Sequence, residues 1–132
     1  PFNIAQKQQP NQIIMPPSPG VFLYEDNNFF EILQHEGLPT QDLGIPTSRL
    51  PLPEFVIWQS SAEVDRWNLI HETGEIIPVN LVQTESELNT INPKSKLQPG
   101  LYCFEQPPKT NLKQEEVFYW CFHVNLTSSA DR

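Results

Sequence analysis

The sequence predicts an all-β fold, a single antiparallel β-sandwich with at most one short helical turn near residues 60–67. Its apolar runs are only four to eight residues long, and clusters of Gly, Pro, Asn and Asp separate them. No segment sustains the 3.6-residue period of an amphipathic helix. Short apolar runs between turn residues are typical of two packed antiparallel sheets. The length of 132 residues suits one ordinary domain.

Residues 1–20 are predicted to lie outside this domain. They contain five prolines, four glutamines and a single charged residue, Lys7. Such a segment buries too little apolar area to offset about 1–2 kcal/mol per residue of backbone ordering entropy. We interpret it as a disordered, Pro/Gln-rich tail or linker with polyproline II character, and a linker implies an upstream segment to which the domain is tethered. A proline-rich ligand for an adaptor domain is the alternative. The domain then spans about residues 20–127, and residues 128–132 form a C-terminal tail.

The first predicted elements are a hairpin and a proline-rich crossing. The runs VFLY (21–24) and FFEIL (29–33) flank Glu25-Asp26-Asn27-Asn28, whose Asp and Asn residues tolerate left-handed backbone angles. Residues 37–53 contain four prolines and two glycines, which predicts an irregular or edge segment because proline cannot donate to a β-ladder.

The middle of the chain predicts one strand and the helical turn. The strand is EFVIW (54–58), a run of large apolar residues. Ser60 and Glu63 have the spacing of a capping box, which predicts one helical turn ending near Trp67.

A second hairpin and two aromatic strands complete the predicted fold. WNLIH (67–71) and EIIPVNLV (75–82) flank a Glu-Thr-Gly turn, and Pro78 moves the second run towards an edge or a bulge. LNTIN (88–92) predicts a weak strand. The strongest strands are LYCFE (101–105) and VFYWCFHV (117–124), joined by a polar loop over 106–116.

Residues 97–104 read Leu-Gln-Pro-Gly-Leu-Tyr-Cys-Phe. This Leu-x-Pro-Gly-x-Tyr-x-Phe run, followed by a loop and an aromatic last strand, resembles the final two strands of immunoglobulin-like sandwich domains. The resemblance implies an immunoglobulin-like topology, with Tyr102 at the tyrosine corner and its hydroxyl bonded to upstream backbone. The antibody-type arrangement of an early and a late cysteine with a tryptophan between them is missing. The resemblance therefore implies an architecture and transfers no binding site.

The two cysteines, Cys103 and Cys121, fall in the last two predicted strands. If these strands are neighbours, the two sulfurs lie opposite each other or one pair apart, on the face away from Tyr102 and Trp120. Two interpretations stay open, a cross-strand disulfide and two free thiols. A disulfide would favour an extracytoplasmic compartment, and the sequence does not otherwise indicate the localisation.

Charge argues against two classes of partner. Asp and Glu outnumber Lys and Arg by 16 to 8, a formal net charge of −8. Such a field opposes binding to nucleic-acid phosphates and to anionic lipid surfaces. No apolar run approaches the roughly 20 residues that span a bilayer, so no membrane span is predicted.

No motif predicts catalysis, a metal site or a cofactor. The histidines, His35, His71 and His123, lie far apart in the sequence and show no metal-ligand spacing. No serine has a Gly-x-Ser-x-Gly context, and the five glycines form no phosphate-binding loop. We expect no catalytic residues.

The aromatic residues are the candidate binding residues. An exposed tryptophan or tyrosine offers a platform for sugar rings or a hot spot for a protein partner. The candidates are Trp67, Tyr119 and Trp58, although Trp58 and Trp120 are also expected to contribute to the core. The sequence therefore predicts a non-catalytic binding or accessory domain of a larger, extracytoplasmic protein, with a protein or carbohydrate ligand. The alternatives are a carbohydrate-binding module with exposed coplanar aromatics, and a small hydrolase or metal-binding protein with converging histidines.

Overall fold

The computed structural model describes residues 15–39, 44–59, 64–84, 87–106 and 117–126. Within these ranges the chain forms eleven strands and one 3₁₀ turn, Val64–Arg66. The strands are β1 (Gly20–Glu25), β2 (Asn28–Ile32), β3 (Gln34–Glu36), β4 (Thr47–Ser48), β5 (Glu54–Trp58), β6 (Asn68–His71), β7 (Ile76–Ile77), β8 (Val79–Gln83), β9 (Leu88–Pro93), β10 (Gly100–Gln106) and β11 (Phe118–Val124).

The strands form two sheets that pack face to face. The first sheet has the order β2-β1-β5-β9-β8, and every neighbouring pair in it is antiparallel. The second sheet has the order β3-β11-β10-β6-β7, and the short β4 pairs with β11 in parallel. The prediction of an all-β sandwich with at most one short helical turn is confirmed.

The first predicted hairpin forms as β1 and β2. Its two-residue turn consists of Asp26 and Asn27, whose φ angles are 56° and 63°. Two successive residues with positive φ define the tight turn whose twist matches that of the flanking strands. Asn28 closes the turn, because its side-chain amide donates to the Asp26 carbonyl at 2.9 Å.

Pro78 splits the single strand predicted over 75–82 into two strands, which belong to different sheets. β7 precedes Pro78 and pairs with β6 in the second sheet, whereas β8 follows it and pairs with β9 in the first sheet. Proline has no N–H to donate, so the ladder ends there and the chain crosses from one sheet to the other.

In the described part of 37–53 only Thr47–Ser48 forms a strand, as expected of an irregular or edge segment, and a buried carboxylate holds this part in place. Glu25, at the end of β1, accepts hydrogen bonds from the Ser48 hydroxyl at 2.7 Å and from the Arg49 backbone N–H at 3.0 Å. Glu25 is only 8% exposed. Because β4 pairs with β11, this carboxylate links the first sheet to the second.

Several predicted features lie outside the described residues: most of the tail, the capping box at Ser60 and Glu63, the loop at 107–116 and the tail at 128–132. Residues 15–19, just before β1, form no strand or helix, although Pro16 is buried.

The core lies between the inner faces of the two sheets. Phe55 of β5 packs against Phe104 and Phe122, with ring centroids 4.9 and 4.5 Å away. Tyr102 and Trp120 also face this core, so the inward face predicted for β10 and β11 is confirmed. The two strands pair antiparallel over their whole length, as expected.

Tyr102 makes the hydrogen bond that the resemblance implied. Its ring is 3% exposed, and its hydroxyl donates to the Gln98 carbonyl at 2.7 Å. This bond ties the start of β10 to the turn that precedes it.

Candidate functional site

The outer face of the second sheet is the surface on the side away from the core. Side chains alternate along a strand. Because Tyr102, Phe104, Trp120 and Phe122 point inward, the residues between them point outward. We define the outer face by Ile70 and its pair mate Ile76, by Leu101, Cys103 and Glu105 of β10, by Tyr119, Cys121 and His123 of β11, and by His35 of β3, which lies opposite Tyr119.

A disulfide occupies the centre of this face. Cys103 and Cys121 are directly opposite each other in the β10–β11 ladder, with Cα atoms 3.9 Å apart, and their sulfurs are bonded. Of the two arrangements that the sequence left open, the structure contains the bridge. Both cysteines are almost fully buried although they point away from the core. The bond joins two central strands of the sheet and so holds the outer face rigid.

Tyr119 provides the aromatic part of the face. It is half-buried, and its hydroxyl donates to a Glu105 carboxylate oxygen at 3.2 Å. Burial raises the pKa of the Tyr119 phenol, and the negative charge of Glu105 raises it further. The hydroxyl therefore stays protonated at neutral pH and can donate to Glu105.

Apolar side chains lie beside the disulfide on its β6 side, towards Ile70 and Ile76. Ile70 lies opposite Cys103 and is half-buried, and Ile76 lies opposite Ile70 at 62% exposure. Leu101 is half-buried beside them. The face is therefore apolar at one side and polar at the other, where Glu105 and Tyr119 lie.

The charge of this sheet is negative. Its six strands contain no lysine or arginine, whereas Glu36 and Glu105 lie within them. Glu72 and Glu75, in the turn between β6 and β7, are exposed. A ligand of the outer face therefore meets Glu105 and no lysine or arginine from the strands, whereas Glu36 alternates with His35 and lies on the opposite side.

The three aromatic candidates do not form one site. Trp67 is 8% exposed and stacks on Trp120, with ring centroids 4.4 Å apart and planes at 12°. It belongs to the core and offers no surface platform. Its indole Nε1 has no hydrogen-bond partner among the described residues. Trp58 is half-buried at the end of β5 in the first sheet, so only Tyr119 lies on the outer face.

The histidines all lie in strands of the second sheet but do not converge. His35 and His123 are on the outer face, whereas His71 pairs with Tyr102 and packs edge-on against its ring. The His71 Nδ1 accepts the Thr73 backbone N–H at 3.2 Å, so in the neutral ring Nε2 carries the proton. In the part of the chain that the structure describes, no group of three or more His, Cys, Asp and Glu residues is placed to hold a metal ion.

Gly100 makes room for His71. A Cβ atom at this position would lie 2.9 Å from the His71 Nε2 atom, and the φ angle of Gly100 is 154°. The φ angle disfavours any other residue at the start of β10, and a Cβ atom there would also displace the His71 ring.

One end of the outer face opens into a shallow cleft. Its volume is about 450 Å³, and His123 and Asn125 line it with Thr47, Pro99, Gly100 and Val124. The cleft extends the outer face as a contact surface.

Sequence reasoning identified Tyr119 but did not assemble the rest of the face. The alternation in β10 and β11 already implied that Leu101, Glu105 and His123 point outward once Tyr102 points inward. Ile70 and Ile76 had no such indication, because their positions depend on pairing with β10 across the sheet.

Comparisons of the chain with protein-family models, with curated proteins and with solved structures find no match. No helix within the described ranges has the length and apolar character needed to cross a membrane.

Proposed function

We propose that this chain is a non-catalytic binding domain with immunoglobulin-like topology, and that the outer face of the second sheet binds a protein partner. The observation that carries the proposal is the composition of that face. It joins the exposed Ile76, half-buried apolar residues, a tyrosine bonded to a glutamate and a disulfide-linked pair of central strands. Rigid aromatic and apolar residues with a polar rim are typical of protein interfaces.

The strand order supports the immunoglobulin-like topology. In such domains one sheet has the order A-B-E-D and the other C-F-G. Here β1, β5, β9 and β8 are neighbours in one sheet, and β6, β10 and β11 are neighbours in the other. Both orders agree when the strands are matched along the chain, with β2, β3 and β4 as additions between the first two positions and β7 as an addition after the third. The hydrogen bond from the Tyr102 hydroxyl to the Gln98 carbonyl is of the kind that a tyrosine corner makes.

The disulfide supports an extracytoplasmic accessory role. Disulfides persist in oxidising compartments and are rare where glutathione keeps thiols reduced. Both cysteines of the chain take part in the bond. The domain is then one module of a larger secreted or surface protein, tethered through the proline-rich segment before β1.

The acidic face favours a basic partner. Charges on a binding face are complemented across an interface, which speeds association and excludes partners of like charge. Glu105 lies on this face, and the exposed Glu72 borders it. A partner with lysine or arginine side chains around an apolar centre fits this pattern.

The geometry favours protein over carbohydrate. A sugar ring stacks on exposed aromatic rings that share one groove. Trp67 is buried, and Trp58 and Tyr119 belong to different sheets. On the first sheet Tyr24 and Phe29 are close, but their ring planes are inclined by 46°.

Site-specific photocrosslinking tests the proposed face. A photoreactive phenylalanine analogue replaces Tyr119 in one variant and Tyr24 in the other, and each is incubated with extract of the source cells. Tyr24 is the matched control because it is a half-buried strand tyrosine on the outside of the first sheet. We expect one discrete protein adduct at position 119 that excess unlabelled wild-type domain prevents.

The competition and the control decide the result. Unlabelled Tyr119→Ser protein should compete poorly, whereas unlabelled Tyr24→Ser protein should compete as well as wild type. Equal adducts at both positions, or full competition by Tyr119→Ser, would contradict the proposed face. A specific adduct at position 24 alone would transfer the binding function to the first sheet.

A further inference from the structure

The β8 strand leaves one edge of the first sheet open. Among the described residues it pairs only with β9. Two bonds fix the direction of its backbone groups: the Thr84 N–H donates to the Leu88 carbonyl, and the Lys94 N–H donates to the Pro78 carbonyl. Since hydrogen-bonded pairs alternate along an antiparallel ladder, even-numbered residues of β8 face β9. The N–H and C=O groups of Val79, Leu81 and Gln83 therefore point away from the sheet.

The same edge leaves core residues incompletely covered. Val79 and Leu81 pack against the core but stay half-buried, and Val82 on the other face is 59% exposed. An added strand would bond the open backbone groups and cover the rim of the core at once.

This edge lacks the features that usually prevent strand association. Native edge strands are commonly protected by charged residues, internal proline or very short length. β8 has five residues, Val-Asn-Leu-Val-Gln, with no charge and no internal proline. By contrast β2, at the other edge of the sheet, contains Glu31, and β7 has only two residues.

We propose that β8 is a self-association edge, pairing antiparallel with β8 of a second copy of this chain about a two-fold axis at Leu81. The outward-pointing groups lie on alternate residues, so this register opposes Leu81 to itself and Val79 to Gln83 of the second copy. These opposed residues exchange about six backbone hydrogen bonds. The arrangement is isologous, closes as a dimer and makes the two first sheets continuous.

The charges at the two ends of β8 suit this antiparallel arrangement. Lys94 is bonded to the Pro78 carbonyl at the start of β8, and Glu87 lies in the turn after its end. Antiparallel pairing brings the lysine end of one copy to the glutamate end of the other. The formal charge of −8 on each chain opposes association at long range, and salt screens that repulsion. The inference is independent of the proposed binding face, which lies on the other sheet.

Sedimentation equilibrium and hydrogen exchange of the wild-type chain test the proposal together. We expect the mean mass to rise from near that of the monomer towards that of the dimer between about 10 μM and 1 mM, the range suited to a small interface. In higher salt the same rise should occur at lower protein concentration. The amides of Val79, Leu81 and Gln83 should exchange more slowly as the dimer forms. The outward amides of Phe29 and Glu31 on β2 should not change.

Matched charge substitutions complete the test. Leu81→Lys places like charges directly opposite each other and should abolish the dimer. Phe30→Lys changes a partly exposed residue at the other edge of the sheet and should leave association unchanged. A monomer at every concentration, or a dimer without added protection at Val79, Leu81 and Gln83, would overturn the proposal. Loss of the dimer in Phe30→Lys as well would also overturn it. The exchange result stands even if Leu81→Lys fails to fold.

Discussion

The hydroxyl of Tyr102 makes one hydrogen bond, and the contribution of this bond to stability can be measured by itself. Tyr102→Phe removes only the oxygen atom, which donates to the Gln98 carbonyl at 2.7 Å, and keeps the buried ring in the core. A neutral hydrogen bond of this kind contributes about 0.5–1.5 kcal/mol net. Gln98 is exposed, so water can solvate its carbonyl in the variant. We therefore expect the free energy of unfolding to fall by about 1 kcal/mol, without the larger penalty of a buried unpaired acceptor.

Urea denaturation followed by tryptophan fluorescence measures this change. The stacked Trp67 and Trp120 lie in the core and report its loss. The denaturation midpoint should fall while the slope stays the same, because the substitution does not alter the area exposed on unfolding. For a domain of this size the same change lowers the melting temperature by about 4 °C.

Tyr119→Phe is the matched control because it makes the same chemical change on the outer face. Its hydroxyl bond to Glu105 is longer, at 3.2 Å, and half-exposed. We expect a loss below about 0.5 kcal/mol there. Equal losses in the two variants, or a Tyr102→Phe loss above about 3 kcal/mol, would refute the assignment of the effect to one neutral hydrogen bond.

Three further perturbations follow from the structure. Burial raises the pKa of Tyr102 above its ordinary value, with the charges of two nearby glutamates adding to the effect, so the folded state retains this proton longer than the unfolded state. The free energy of unfolding should therefore keep its full value below about pH 10 and fall as the pH rises beyond it. In Tyr102→Phe this fall should be less steep, as measured by urea denaturation at about pH 9 to 11. Replacing both Cys103 and Cys121 by alanine removes a bond across 18 residues and should cost about 3 kcal/mol, with reductant abolishing the difference from wild type. Glu25→Ala removes one buried and one partly buried hydrogen bond and should cost about 2–3 kcal/mol in calorimetry, and a loss below about 1 kcal/mol would contradict this role. Ser48→Ala should cost about as much, because the Ser48 hydroxyl donates to Glu25 and also accepts the Leu50 N–H at 3.1 Å.

The sequence anticipated those elements that depend on local pattern. The hairpin around Asp26 and Asn27 forms where Asp and Asn follow one apolar run and precede another. β5 has the predicted bounds, β10 contains the predicted run, and β11 matches its predicted run except for Val117. Pro78 was expected to disturb its strand, but its actual effect, a change of sheet, could not be derived from the loss of one N–H alone.

The candidate site was only partly accessible to the same reasoning. Tyr119 was named as a candidate because the sequence indicated which residues of β11 face the core. Tyr119 alternates with those residues and so points to the other side of the sheet. Trp67 lies beside Asp65 and Arg66 in the sequence, and these charged neighbours gave no sign that its ring stacks on Trp120 in the core. The partner of a buried ring can lie anywhere in the chain, so its burial depends on a contact between distant residues.

What the sequence by itself determined is the class of fold and the side of the sheet on which each residue of the last two strands lies. Both follow from a period of two residues, which is a local property of the backbone. Only the tertiary structure decided which sheet each strand joins, that Cys103 and Cys121 are bonded, and that β8 is left at an edge. These features depend on pairing between segments far apart in the chain. Their free energy comes from contacts that no local window contains.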